Sequence, residues 1–454
     1  MSAGADVSVP SNARRSNTEL GLLVLGIIVT LCAYALVGLS QNPVLPAGLV
    51  PYGGALIALA LAGHVITRRL APGADPLLLP LAFLLNGLGL VMVRRIDFAL
   101  AVAEREPPTP LAPLQTVWTV VGVAAFCATL VLIRDHRQLD RYRYLIGATA
   151  LGLLLLPLLP LIGTEVRGAR IWLRLGGLSL QPGEFAKLGI VAFFASYLAE
   201  KRAILSVATS RLGPFHVPPA RAFAPIVSAW LISLAVLIFQ KDLGLSLLFF
   251  AIFVVLLYVA TSRVAYVVAG VALFAAGAAL AGSVFAHVQS RIAIWLDPFA
   301  DADGAGFQLV QSLFALGSGG IAGVGWGQGQ PDLIPDVQTD FVFSAFGEEL
   351  GLIGLTALLL CYFIFVGRGY RVAVLAREDF GKLLAAGLVS VFALQVFVIV
   401  GGVTRVIPLT GLTLPFLSYG GSSLLANYVL CALLLRVSAD RPSAGVRTEL
   451  GGET

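Results

Sequence analysis

The stretch FAHVQSRIAIWLDPFADADGAGFQLVQSLFALGSGGIAGVGWGQGQPDLIPDVQTDFVF, residues 285–343, decides how this chain is read. It is a long polar interruption, rich in Asp and Gly, with membrane-grade sequence on both sides. Asp297, Asp301 and Asp303 crowd its early part beside one base, Arg291. Such a segment belongs at a membrane surface, and any chemistry the chain performs is expected there. Within it FQLVQSLFAL, residues 307–316, spaces its apolar residues as a helix does and predicts an amphipathic helix along the interface. The glycines of GSGGIAGVGWGQG lack a following Lys-Ser or Lys-Thr, which argues against a phosphate-cradling loop and for close backbone packing.

Hydrophobic residues are 58% of the 454-residue chain and charged residues 12%, a balance that leaves too little polar surface for a soluble protein. Apolar stretches of about 18 to 23 residues recur along it, each long enough to cross roughly 30 Å of hydrocarbon as a helix. They predict an all-α polytopic membrane protein. Its twelve expected spans are 20–40, 47–66, 76–93, 113–133, 144–162, 184–199, 223–239, 243–260, 264–286, 341–366, 383–403 and 411–436. The first is read as a retained helix and not a cleaved signal, because a long polar lead carrying Arg14 and Arg15 precedes it. Polar tails, 1–19 and 437–454, flank a single membrane-embedded domain, 20–436.

The bases fix an orientation, since Lys and Arg in short loops stay on the cytoplasmic side. With a cytoplasmic N-terminus, twenty of the thirty lie inside and nine outside, with Lys187 within a span. Both termini are therefore expected in the cytoplasm, and segments 285–343 and 163–183 outside. The bases form no single patch, which excludes nucleic acid as a partner. Cys32, Cys127, Cys361 and Cys431 lie in expected spans without pairing motifs, and the four His are scattered, so no zinc site is expected.

Charges near the outer boundary are the candidates for chemistry. Glu184 and Lys187, three apart at the start of the sixth span, share a helical face; they must pair or face a polar cavity. Pro182 suits the first turn of that helix. Just upstream, Arg167, Arg170, Trp172 and Arg174 in VRGARIWLRLGG combine phosphate-matching forks with an interfacial aromatic. Lys241 and Asp242 form a small outer turn. Asp297, Asp301 or Asp303 offers a carboxylate for general-base work, if its pKa is raised by burial or acidic neighbours. Of Glu348 and Glu349, at least one must face protein or water. Each group also has a plainer structural reading, as a packing salt bridge, an interfacial anchor or a solvated turn.

In order, GARIWLRLGGLSLQPGEFAKL, QKDLGLSLL, LDPFADADGAGFQLVQSLFALGSGGIAGVGWG, TDFVFSAFGEELGLIG and LTLPFLSYGGSSLL resemble the SEDS family of shape, elongation, division and sporulation proteins, across roughly residues 76–436. The resemblance implies a ten-helix core, so the helices of residues 20–70 read as an N-terminal addition. It implies a peptidoglycan glycosyltransferase that polymerises lipid II, an undecaprenyl-pyrophosphate-linked substrate, on the outer face of the cell membrane, in a RodA-like elongation role. An FtsW-like division polymerase, a lipid II flippase and a noncatalytic scaffold are the alternatives. Asp301 matches the essential outer-loop aspartate of the family, with Asp297 as second candidate. Glu184 and Lys187 match its charged pair, Trp172 its loop Trp, and Lys241 and Asp242 its PDLG turn. On this reading Asp301 is the base, Lys187 and nearby Arg steady the leaving pyrophosphate, and Glu184 holds Lys187. Arg170 stands beside Ile171, where the family often has Arg; Gly183 replaces a common Ser, and Gln338 a common His. No cofactor is demanded, with Mg or Mn as a candidate divalent cation. A class B penicillin-binding protein is the implied partner, supplying the transpeptidase this chain lacks.

Overall fold

A computed structural model describes residues 12–105, 109–160, 162–166, 169–175, 178–206, 210–212, 215–217 and 224–440. The helices before the long outer segment are α1 (Asn12–Gln41), α2 (Leu49–Leu70), α3 (Leu78–Val102), α4 (Leu111–Leu132), α5 (Arg137–Arg141), α6 (Arg143–Leu155), α7 (Pro182–Ser206), α8 (Ala224–Gln240), α9 (Leu243–Thr261) and α10 (Val264–Val284). Two further helices, α11 (Ala286–Leu296) and α12 (Phe307–Gly319), lie within that segment. After it come α13 (Val342–Leu375), α14 (Asp379–Val403) and α15 (Gly421–Ala439). Among the described residues nine helices are long and apolar enough to cross a membrane, and α6, α7 and α8 fall where three more spans are expected. The chain is a multi-pass helical membrane protein. Side chains such as Val50, Val268 and Phe363 stay exposed on its flanks, as lipid contact requires.

Three features differ from the expected pattern. Helix α1 begins at Asn12, so part of the expected 1–19 tail is helical. Its Glu19 is fully buried and pairs with His64 (2.7 Å) and Arg68 on α2, which accounts for a charge near that helix end. The last span starts at Gly421 and not at 411, because residues 404–420 run without helix and form part of a cavity wall. Between α6 and α7 the chain makes an antiparallel sheet of β1 (Gly163–Val166), β2 (Ala169–Leu175) and β3 (Leu178–Leu180). Its register pairs Thr164 with Trp172 and Arg174 with Ser179. A short hairpin, β4 (Ser210–Leu212) and β5 (Phe215–Val217), follows α7.

The Gly-rich run of the outer segment packs backbone on backbone. Helix α13 breaks its helical conformation at Gly351, where φ is 64°. Gly325 N donates to Glu349 O, and Leu352 N to Gly320 O, so residues 320–325 take up backbone groups at the break. A Cβ on Gly351 would collide with Gly323 N and Ile321 O. Side chains lock the same junction. Arg95 of α3 bonds Glu349 (2.8 Å) and Gly329 O (2.6 Å), Gly327 N donates to Glu349 (2.9 Å), and Gln330 N to Glu348 (3.1 Å). Both glutamates thus find protein partners. Gly351→Ala combines a left-handed φ with that collision and is expected to cost about 1–3 kcal/mol or more, read as a lower unfolding midpoint in detergent.

Candidate functional site

A polar cavity of about 520 Å³ opens where five segments meet. The sheet contributes Thr164, Trp172, Arg174 and Ser179, and the start of α7 contributes Gln181 and Glu184. Trp118 comes from α4. Asp336, Thr339 and Asp340 form another wall, and Gly411–Thr413 with Tyr419–Ser423 complete it. Hydrogen bonds tie these walls together. Tyr419 N donates to Gln338 O (2.7 Å), and Ser418 Oγ to Thr339 O, hooking the SYGG loop onto the QTD segment. Gln115 of α4 grips the same loop twice, donating to Ser418 O (3.3 Å) and accepting from Gly420 N (3.2 Å). Gln181 N donates to Ser422 Oγ (2.9 Å). Gly421 must be glycine, since a Cβ would collide with the Trp118 ring.

Glu184 lines the cavity, but Lys187 does not. Lys187 is fully buried, donating to Glu184 (2.6 Å) and to Gln395 of α14 (2.8 Å), whose amide in turn donates to Thr413 O (2.8 Å). Its ammonium, expected from the sequence to steady a leaving group, is covered here and engaged with two protein partners. It holds Glu184 at the cavity and ties α7 to α14 and the cavity wall. Of the arginines upstream, Arg174 reaches the cavity. Arg170 is exposed and faces Glu165 (3.3 Å) across the hairpin, while Arg167 lies outside the described residues.

Asp242 caps α9, accepting from Leu245 N (2.9 Å), which satisfies an orphan donor of the first turn. Lys241 beside it takes a left-handed φ of 55°. Burial pushes the Asp242 carboxyl up; the bond from Leu245 N and the charge of Arg291 pull it down, and Glu184 pushes it up again. A carboxyl with a raised folded pKa binds its proton more tightly when folded, so this group's contribution to stability falls as pH rises above the ordinary Asp range. Asp242→Asn should flatten that part of a pH series of unfolding midpoints. An unchanged slope would contradict the assignment.

A smaller polar chamber of about 180 Å³ lies alongside, lined by Arg291, Trp295, Ala305, Gln308, Asp340 and Gly411 among others. Asp340 and Gly411 belong to both chambers. Asp301 sits at the edge of the smaller one, where it accepts from Ala305 N (2.7 Å), in an exposed short 3-10 turn, Pro298–Asp301. Gly304 leaves room for its carboxylate, which a Cβ there would strike. Asp297 is also exposed, capping that turn through Phe299 N (3.2 Å). Neither Asp lines the large cavity directly; the shared wall at Asp340 and Gly411 connects their side to that of Glu184.

Sequence reasoning passed over Asp336, Asp340 and Gln395. Asp340 stood inside the quoted TDF block, and proximity to that block was the available signal. Gln395 lay in an apolar span with nothing to distinguish it until α14 packed on α7. Among the described residues no group of three or more His, Cys, Asp or Glu could hold a metal ion.

The profile of the Cell cycle protein family of FtsW, RodA and SpoVE matches residues 76–442. Over 446 residues the chain is 50% identical to the peptidoglycan glycosyltransferase RodA of Mycobacterium tuberculosis, covering 97% of this chain and 94% of that one. It is 36% identical to stage V sporulation protein E of Bacillus subtilis, over 82% of this chain and 98% of the relative. Among solved structures, a chain of a peptidoglycan synthase complex that coordinates polymerization and crosslinking superposes with a TM-score of 0.61 at 29% identity, covering 78% of this chain and 96% of that one. The Thermus thermophilus rod shape determining protein RodA gives 0.57 at 27%, covering 82% and 98%.

Proposed function

This chain belongs to the Cell cycle protein family of FtsW, RodA and SpoVE and is a peptidoglycan glycosyltransferase, and from that premise we propose that it polymerises lipid II at the outer face of the cell membrane, in cell elongation. The observation that carries this reading is the joined pair of polar chambers. Transfer between two lipid-linked sugars needs two places for sugar at headgroup height, and Asp340 and Gly411 stand between two such places. Trp118 and Trp172 give the larger one flat apolar walls, and Arg174 gives it a cation.

In the proposed reaction Asp301 takes the proton of the acceptor 4-hydroxyl as that oxygen attacks the anomeric carbon of the growing chain. The bond to the undecaprenyl pyrophosphate breaks on the opposite side, which inverts the anomeric centre. A base placed at the attacking hydroxyl supplies about 10²–10⁴-fold in such transfers. Cations fixed in advance around the departing pyrophosphate stabilise charge as it develops, without reorganising at that moment. Glu184, locked by Lys187, is proposed to orient a substrate hydroxyl, and Trp172 to pack against the sugar. A divalent cation at the pyrophosphate would add charge stabilisation. With both termini in the cytoplasm the two chambers face outward, where lipid II is presented. A class B penicillin-binding protein is the proposed partner, the solved relative being itself part of a synthase complex.

Purified protein with lipid II in detergent should yield glycan polymer resolvable on a gel. Labelled lipid II that crosses reconstituted bilayers while no polymer forms would support translocation in its place.

A further inference from the structure

Helix α11 carries the chain into the turn of Asp297 and Asp301, and the carbonyls of Trp295 and Leu296 lie in its last turn, where no later helical N–H reaches them. Arg405, two residues beyond α14, takes both. Its Nε donates to Trp295 O (2.8 Å) and a terminal nitrogen donates to Leu296 O, while Trp295 Nε1 donates back to Arg405 O (3.1 Å). The charge suits the place, since a cation at a helix C-terminus meets the negative end of the dipole. The backbone suits glycine: φ at Arg405 is 62°, in the left-handed region. An arginine there forgoes that ease and gains the clasp. A second tie runs alongside, because Arg291, one turn earlier on α11, donates to Leu409 O (2.7 Å). Residues 405–409 thus hold α11 at two points, and the same segment continues into Gly411, Leu412 and Thr413 on the wall of the large cavity.

We propose that Arg405 is a positioning residue for the base: its clasp fixes the turn that bears Asp301, at the edge of the smaller chamber, in register with the wall of the larger one. The inference rests on the polymerase reading and extends it to a residue that acts through Asp301. Asp297 and Asp301 bond locally, to Phe299 N and Ala305 N, so those bonds shape the turn without anchoring it. The clasp ties its leading side to the cavity wall, as Gln308, whose amide donates to Pro335 O (2.8 Å), ties the helix that follows. A general base works within about 2.6–3.2 Å of the proton it takes, and a misplacement of roughly 1 Å is enough to lower the rate. An exposed arginine near the site could instead hold the leaving diphosphate. Arg405, however, lines neither chamber, and its guanidinium is engaged with two backbone carbonyls.

The test uses full-length protein in detergent with lipid II and turns on Arg405→Gly. Glycine takes the left-handed φ freely, so this variant removes the clasp while easing the backbone. Its unfolding midpoint should match or exceed that of the wild type, while kcat falls about ten- to hundredfold at unchanged KM, as expected of a loss confined to the transition state. Arg405→Lys keeps the cation and a donor and should lose less. Added to Asp301→Ala, or to Asp297→Ala if that carries the larger loss, Arg405→Gly should cost nothing further, because the base it places is already gone. Thr404→Ala, whose hydroxyl bonds its own helix at Val400 O, should polymerise as the wild type does. Hydrogen exchange at the amides of Phe299 and Ala305 should rise in Arg405→Gly. Arg405→Asn, which also tolerates the left-handed region, replaces it if the glycine variant fails to fold. Full polymerisation without the clasp, a loss carried by KM, losses that multiply with that of the missing base, or unchanged exchange at Phe299 and Ala305 overturns the proposal. A wild-type protein that makes no polymer, in which Arg405→Gly still raises that exchange, would sink the polymerase reading and leave the clasp standing.

Discussion

Asp301→Ala is expected to lower glycan polymerisation from lipid II by about 10²–10⁴-fold, the range lost when a positioned general base is removed. The variant should fold normally. Asp301 is exposed, and its carboxylate accepts from Ala305 N in a short turn at the protein surface. An unchanged unfolding midpoint together with lost polymer separates chemistry from stability. Asp301→Asn keeps the shape and the acceptor oxygen for Ala305 N but cannot take up the proton, so it should lose nearly as much. If Asp297→Ala carries the larger loss and Asp301→Ala keeps most of the rate, the base is the neighbouring carboxylate. The two differ in place: Asp301 is bonded to a residue of the smaller chamber, whereas Asp297 caps the start of the turn that ends in Asp301.

Lys187→Ala should damage the fold itself. The ammonium is fully buried, and its removal leaves the Glu184 carboxylate, 2% exposed, without its cation. Breaking one half of a buried pair costs about 3–5 kcal/mol, since the remaining charge is stranded. The loss should appear as a large drop in unfolding midpoint. The double variant Glu184→Gln with Lys187→Met removes both charges at similar volume and should recover much of that stability, because paired removal avoids the stranded charge. It should nevertheless polymerise poorly if Glu184 orients substrate. Recovery of stability and activity together would reduce the pair to a packing device.

The membrane architecture was legible because each span advertises itself by length and composition alone. The last span shows the limit. LTLPFLSYGG is apolar enough to extend a helix, yet its polar backbone is satisfied by Gln115, Gln338 and Thr339, partners far away in sequence, and it lines a cavity instead. The sheet between α6 and α7 was hidden for a related reason, since a short antiparallel meander leaves little periodic signal over strands of three to seven residues. At the site, spacing alone brought Glu184 and Lys187 together, because both lie on one turn of helix. It could not reveal that Gln395 closes over Lys187, a contact that exists only once α14 packs against α7. The close packing of the Gly-rich run was readable from its glycines. Its partner, the break at Gly351 inside an apolar helix, was not.

Sugar transfer is proposed to need both chambers, with one sugar in the polar cavity walled by the sheet, the start of α7 and the SYGGSS loop and the base Asp301 at the edge of the smaller one. Thr413 lines that cavity, and its hydroxyl has no hydrogen-bond partner, so Thr413→Trp would fill the space without breaking a side-chain hydrogen bond. The most direct measurement is lipid II polymerisation by this variant, with its unfolding midpoint taken in parallel. Polymer reduced to background in a protein that unfolds at the normal temperature is the expected result. Polymerisation at the full rate with the cavity filled would contradict it.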